Sequence, residues 1–492
     1  MGPLVAGIVA LAGGRRALQS GLVLGSASSL AAAWGLAHTI MDEGVVRHLL
    51  GGWGRPLGIE LYVDGLAAVM ISVTAVVGSV VSWYSSAYFG DVADLRESPA
   101  ARGARFFAPL WLFLWSAMNG IYVSGDMFNL YVMMEVLGLS AAAIVTLAVT
   151  RKATLAGMRY LFISLAGSML FLLGVALLYA EYGTLSLEEL AAMNPGGATA
   201  GWALSAMTVG LLAKTALFPL HSWLPPAHAG APAPGSAILS ALVVKASFYV
   251  IVRLWMHVFG YGLPAAEAEG ALLILGTLGG IAIIWGSLLA LRQVSLKRLI
   301  AYSTVAQIGY LFVMFPLLAE LAPGADPDAW NLNAWNGGIY HLIAHALAKA
   351  AMFLAAGSMT YAVADDAIES ISGVAHRLPM SFLAFGLGGL SLAGIPPSAG
   401  YVSKWLLLNA ALESGQWFWA GLIALGGLLT LAYVLMVGRY AVQIRHSPEP
   451  FRTVPRRMEW AAITLAVLTV ALGLRAVEPL ALLSIGGARP WP

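Results

Sequence analysis

Long apolar runs separated by short polar connections make up most of this chain. A hydrocarbon layer about 30 Å thick is crossed by roughly 20 helical residues, and a window of that length finds about fourteen candidate helices. Their extents are 3–13, 17–40, 62–83, 106–124, 128–150, 156–181, 202–218, 236–259, 269–292, 297–318, 335–363, 379–413 with an interruption, 417–441 and 457–478. The first is short for a span. No cleavable leader stands apart from it, so the N-terminal helix is expected to be retained.

Prolines break the pattern twice. Within "AKTALFPLHSWLPPAHAGAPAPGSA", Pro219 falls five residues after Lys214, and within "AGIPPSAG", Pro396 and Pro397 fall shortly before Lys404. A proline inside a helix removes a hydrogen bond and crowds the preceding turn, and in hydrocarbon the freed carbonyls must find other partners. The seventh and twelfth helices are therefore expected to be discontinuous. Two interrupted helices five apart point to inverted repeats of the kind found in transporters. The sequence thus predicts an all-α integral membrane fold of about fourteen helices. Its expected parts are helices 1 to 3 in 1–105, one five-helix repeat in 106–259, a second in 269–441, and a last helix and tail in 442–492.

Composition agrees with a membrane protein. The 492 residues are 60% hydrophobic and 10% charged, and the mean hydropathy is +0.81, outside the range of soluble domains. With no cysteine in the chain, thiolate zinc sites, iron–sulfur clusters, c-type haem attachment and disulfides within it are excluded. A redox centre would have to belong to a partner. A net charge of +2 without a basic run gives no reason to expect nucleic acid.

Basic residues gather in alternate connections: Arg15 and Arg16, Arg151 and Lys152, Arg292, Lys297 and Arg298, then Arg445, Arg452, Arg456 and Arg457. The intervening connections are acidic, with Asp42 and Glu43, Glu188 and Glu189, and Asp326 and Asp328. By the positive-inside rule the basic loops are cytoplasmic, and both termini are expected on the outer face of the cell membrane.

Glu135, Lys214, Lys245, Lys349 and Lys404 lie near helix centres or beside the breaks. Each charge at the bilayer centre costs about 2.5 to 3.5 kcal/mol on insertion scales, so the set must be paired, hydrated or neutral. Structural salt bridges, or lysines reaching to the interface, are the plain alternatives. Against them stands the imbalance of sign, since Glu135 is the one obvious acid for all the lysines. Burial disfavours a charged lysine and a nearby carboxylate favours it, so a movable carboxylate next to such amines makes a proton relay in principle. His341 and His345 precede Lys349 at four-residue steps and share its helix face. They suit a bridge between lysines, an axial pair for haem or metal, or ordinary core packing. His221 and His228, placed as exposed loop residues after the first break, line a proton uptake path or are bystanders.

"AKTALFPLHSWLPPAHAGAPAPGSAILSALVVKASFYVIVR", "LKRLIAYSTVAQIGYLF", "HLIAHALAKAAMFLAAG" and "GIPPSAGYVSKW" together resemble the proton-translocating antiporter-like subunits. That family is shared by respiratory complex I, membrane-bound hydrogenases and multisubunit Mrp cation/proton antiporters. The segment "GGWGRPLGIELYVDGLAAVM", the chain length and lysine at 404 resemble the D-type component of Mrp antiporters and related hydrogenase subunits. The resemblance implies a pathway in which Glu135 pairs with Lys214 and the proton passes along Lys245, the His341, His345 and Lys349 face, and Lys404. It implies no cofactor or metal in this chain, companion subunits in a hetero-oligomeric membrane complex, and exchange of protons for sodium or another monovalent cation. The same resemblance leaves open a redox-driven pump subunit or a membrane partner in a bicarbonate-uptake complex.

Overall fold

The computed structural model describes residues 1–53, 58–90, 99–260, 265–318, 332–444 and 451–486. Arg445, Asp326, Asp328, the first part of "LRESPAARGAR" and the end of the "GGARPWP" tail lie outside them, as do four residues of the "GGWGRPL" segment.

The chain is almost entirely helical. In order, the helices of more than four residues are α1 (Gly2–Ala12), α2 (Arg15–Glu43), α3 (Gly65–Tyr88), α4 (Pro99–Val123), α5 (Met127–Thr146), α6 (Arg151–Tyr182), α7 (Leu187–Ala192), α8 (Gly197–Thr215) and α9 (Leu224–Gly230). They continue with α10 (Ala233–Val258), α11 (Ala265–Leu291), α12 (Leu296–Leu318), α13 (Leu332–Val363), α14 (Pro379–Ala393), α15 (Ala399–Glu413), α16 (Trp417–Val442), α17 (Arg456–Leu474) and α18 (Val477–Leu483). Among the described residues, 11 helices are long and apolar enough to cross a membrane. α1 and α14 are apolar but short.

Polar residues mark the helix starts. Asp64, Asp126, Thr150 and Ser398 cap α3, α5, α6 and α15, each side chain accepting a backbone N–H of the first turn. A cap of this kind contributes about 1 kcal/mol. One feature departs from the all-α expectation: β1 (Val46–Leu49) pairs antiparallel with β2 (Glu60–Val63), with Val46 opposite Val63. The hairpin runs directly into Asp64, and bridges from Leu61 to Ser124 and from Asp126 to Ser186 gather three connections on its face of the bundle. On the opposite face Lys152, Arg159, Lys297 and Arg298 border a cavity of about 590 Å³.

Both expected breaks are present. α8 stops at Thr215, Ala216 takes the left-handed conformation with φ 60°, and the chain resumes as α9. The indole of Trp223 donates to the carbonyl of Ala213 at 2.9 Å, covering one of the groups that the break frees. The second break ends α14 at Ala393, with Gly394 at φ 86°, and restarts the chain at Ser398. A further irregularity was not expected. Within α10 the turns widen over Leu239–Val243 and again over Arg253–Val258. α10 and α13 are wholly enclosed and α12 nearly so, whereas α2, α6, α16 and α17 present much of their surface outward. The centre of the bundle is thus built from the helices that carry Lys245, Lys349 and the Ser303–Thr304 pair.

Candidate functional site

Lys214, Lys245, Lys349 and Lys404 are all buried. None of them reaches a surface, so packing removes the snorkelling alternative. Each ammonium has a specific acceptor.

Lys214, in the last turn of α8, donates to the hydroxyl of Ser164 on α6 at 2.9 Å. It lies against α5 where Gly138 leaves room: a methyl group there would stand 3.8 Å from the ammonium nitrogen. Glu135 is one turn earlier on α5 and half-buried. The pair implied by the family resemblance is not a direct ion pair in this conformation. Among the described residues, Oε1 of Glu135 has no hydrogen-bond partner, while the Lys214 ammonium is taken by Ser164.

Lys245 follows the widened turn of α10 and donates to the carbonyl of Ser240 inside it. The Ser240 hydroxyl meets the hydroxyl of Thr304 on α12 at 2.8 Å. Thr304 donates to the carbonyl of Ile300 at 3.0 Å. That carbonyl also accepts from Lys349 at 2.8 Å, and Lys349 makes a second bond to the Ser303 hydroxyl. Lys245 and Lys349 are therefore joined through Ser240, Thr304 and Ile300, with α12 as the bridge.

Beyond Lys349 the expected histidine face is present. His341 and His345 stack with ring centroids 5.9 Å apart. Nδ1 of His341 is 3.2 Å from the hydroxyl of Ser403, next to Lys404. Nε2 of His341 and both nitrogens of His345 are buried with no protein partner among the described residues. Groups of that kind take water as partner. Among the described residues no cluster of three or more His, Cys, Asp or Glu is placed to hold a metal. Lys404 reaches back across its own break to the carbonyl of Leu392 at 2.7 Å, with its nitrogen 4.1 Å from the centre of the Tyr310 ring. Tyr310 also faces His341, at 5.2 Å between centroids.

His228 corrects the sequence reading. It is no exposed loop residue: α9 folds the proline-rich segment back into the bundle, where the ring is fully buried and stacked on Phe353 at 4.8 Å. Pro225, Pro226, Pro232 and Pro234 shape that segment without turning it outward, because Leu224, Pro225 and Ala227 are themselves apolar and packed. His221 is half-buried beside Phe218. Ala229, adjoining His228, lines the cavity on the basic face.

Several groups of the site carry no signal in the sequence. Ser164, Ser240, Ser303 and Thr304 are ordinary hydroxyl residues until the helices pack. Asp64 and Arg253 were also missed. They form a buried ion pair, which means that Glu135 is not the one acid inside the bundle. Two local signals pointed to them: an Asp just ahead of a long apolar run is a cap signature, and Lys245, Tyr249, Arg253 and His257 recur at four-residue steps.

A bundle of apolar helices with two broken spans and inward-held amines defines a multi-pass membrane protein with an antiporter-like fold. The chain belongs to the family described as the transmembrane region of NADH:quinone oxidoreductase and Mrp antiporters, which it matches over residues 124–430. It is 34% identical over 435 residues to the N component of the NADH-quinone oxidoreductase of Desulforudis audaxviator, covering 87% of this chain and 82% of that protein. It is 29% identical over 451 residues to the D component of the Na(+)/H(+) antiporter of Alkalihalophilus pseudofirmus, covering 90% and 86%. The fold matches a chain in the structure of the Mrp complex from Dietzia sp. with a TM-score of 0.84 at 25% identity, over 98% of this chain and 95% of the other.

Proposed function

We propose that this chain is the proton-translocating subunit of a hetero-oligomeric monovalent-cation/proton antiporter in the cell membrane, with both termini on the outer face. In this reading the fourteen spans are three N-terminal helices, two inverted five-helix repeats over 106–259 and 269–441, each containing one broken span, and a last helix. The observation that carries the function is that two buried lysines meet one short polar cluster: Lys245 donates to the Ser240 carbonyl, the Ser240 hydroxyl meets Thr304, and Thr304 and Lys349 both donate to the Ile300 carbonyl. Protons reach it from the basic face past His228 and leave by way of His345, His341 and Lys404. Change at Glu135 alters the proton affinity of Lys214 and thereby of Lys245. A membrane potential contributes about 2.3 kcal/mol per charge for each 100 mV. No bond other than those to hydrogen is made or broken.

The experiment is cation-driven proton movement in vesicles carrying the complete complex, with Glu135→Gln, Lys214→Met and Lys245→Met compared with wild type. Loss of exchange in all three supports the relay. Full exchange in Lys245→Met ends it.

The second reading is a redox-driven proton pump with the same relay. Identity to the N component of an NADH-quinone oxidoreductase favours it. Proton movement that follows an electron donor and ignores a sodium gradient identifies that case.

A further inference from the structure

The Asp64–Arg253 pair lies outside the line of amines, yet Asp64 is fully buried and Arg253 nearly so. Asp64 ends the hairpin and caps α3, and Arg253 lies in the second widened turn of α10. Nη1 of Arg253 donates to one carboxylate oxygen at 2.6 Å and Nη2 to the other at 2.5 Å. Its Nε donates to the Tyr249 hydroxyl at 2.9 Å, and Tyr249 donates to the carbonyl of Tyr122 at 2.7 Å. The guanidinium also lies over the rings of Tyr249 and Tyr62, at 4.8 and 5.5 Å.

Lys245, Tyr249, Arg253 and His257 share one face of α10, which therefore runs from the central ammonium toward the hairpin face of the protein. At about 1.5 Å per residue, Arg253 is roughly 12 Å along the axis from Lys245. On its far side a cavity of about 10 Å³ is bordered by Glu60, Tyr62, Glu188, Arg253 and His257, room for about one water. Arg253 thus touches that cavity on one side and Tyr249 on the other.

We propose that the Asp64–Arg253 pair is a seal, which stops protons held on Lys245 from reaching the hairpin face along this face of α10. The inference rests on the relay reading above. A guanidinium does not give up its proton in a protein, so it cannot pass one on. Its fixed charge repels an approaching proton, as a pore-lining arginine does. The carboxylate is held from accepting one. Both of its oxygens accept from the guanidinium, and Oδ1 accepts from the N–H of Ala67 as well. Without Arg253, what remains is a buried acid beside Tyr249 that favours its protonated form. That acid would be a stepping stone between Lys245 and the cavity. Removing both charges leaves neither barrier nor stepping stone.

The test is passive proton leak after an imposed pH step, in liposomes holding the complete complex, with the potential clamped and no cation gradient. The expected result is a leak several-fold above wild type in Arg253→Gln. Wild-type leak is expected in Asp64→Asn/Arg253→Gln, and in Arg253→Gln/Lys245→Met because the route begins at Lys245. A tight Arg253→Gln overturns the seal, as does a leak that survives either second substitution. If Arg253→Gln does not assemble, Arg253→Lys replaces it. A lysine keeps a cation beside Asp64 but can release its proton, so the leak must again rise and again depend on Lys245. A tight Arg253→Lys overturns the proposal equally. Exchange driven by a cation gradient in Lys245→Met, with the pair intact, tests the relay alone, so either idea can fail while the other stands.

Discussion

Lys404 donates to the carbonyl of Leu392, 2.7 Å away, across the break that separates α14 from α15. The break exposes backbone acceptors near the C-terminal end of α14, where the helix dipole also favours a cation. An amine that would be costly elsewhere in the bundle is seated there by the interruption itself. The first break works differently, since Trp223 takes the freed Ala213 carbonyl and Lys214 turns to Ser164 on a neighbouring helix.

Gly394 holds the Lys404 seat open. Its φ of 86° suits glycine, and a methyl group there would stand 2.8 Å from Cδ of Lys404. Gly394→Ala is expected to cost about 1 to 3 kcal/mol of stability from backbone strain and to displace the amine. The measurements are thermal unfolding of the purified complex and cation-driven proton movement in vesicles. Both should fall. Unchanged exchange with a lowered unfolding temperature would mean that the position of the Lys404 amine is immaterial.

Thr304 is the bridge between two lysine helices. Thr304→Val keeps the shape and removes the hydroxyl that meets Ser240. A buried partner left unsatisfied costs about 1 to 3 kcal/mol, which on the transfer step lowers exchange by about fivefold to a hundredfold. Thr304→Ser restores the hydroxyl and should recover most of the rate. Equal rates for the valine and serine variants would remove the bridge from the pathway.

His228 separates packing from proton uptake. Phenylalanine at this position preserves the stack on Phe353 and eliminates both ring nitrogens. Phenylalanine is the larger ring, and overpacking of a buried site costs about 1 to 3 kcal/mol, so thermal unfolding of the complex is measured beside transport: assembly should survive while proton uptake from the basic face slows severalfold. Exchange at the wild-type rate in His228→Phe would make the residue a core ring and nothing more.

Much of this site was legible before any packing was known. Lys214, Lys245, Lys349 and Lys404 stood out because a charge inside an apolar run is conspicuous in a window of about 20 residues. Pro219 and the Pro396–Pro397 pair marked both breaks, because proline acts on the backbone at its own position. The face shared by His341, His345 and Lys349 followed from helical spacing alone. The chain gave no comparable sign for Ser164, 50 positions from Lys214, or for Ser303, 46 from Lys349. A serine in a membrane helix usually bonds to its own preceding turn, as Ser303 also does with Ile300. His228 was misplaced for a related reason. A run of prolines and histidines reads as a loop, and only the surrounding helices decide whether it turns outward or folds in.

By itself, then, the sequence determined that this is a multi-pass membrane protein, where two of its helices break and that Lys214, Lys245, Lys349 and Lys404 lie within apolar helices. Those properties are sums over neighbouring residues or effects of one residue on its own backbone. The tertiary structure alone decided that Lys245 and Lys349 meet the same polar cluster of Ser240, Thr304 and Ile300, that Lys214 bonds to Ser164 and makes no direct ion pair with Glu135, and that Asp64 meets Arg253 across 189 positions. Partners of buried charges are chosen when helices pack. Each helix offers several polar side chains of equal local standing, and the crossing geometry selects which of them come within hydrogen-bond reach.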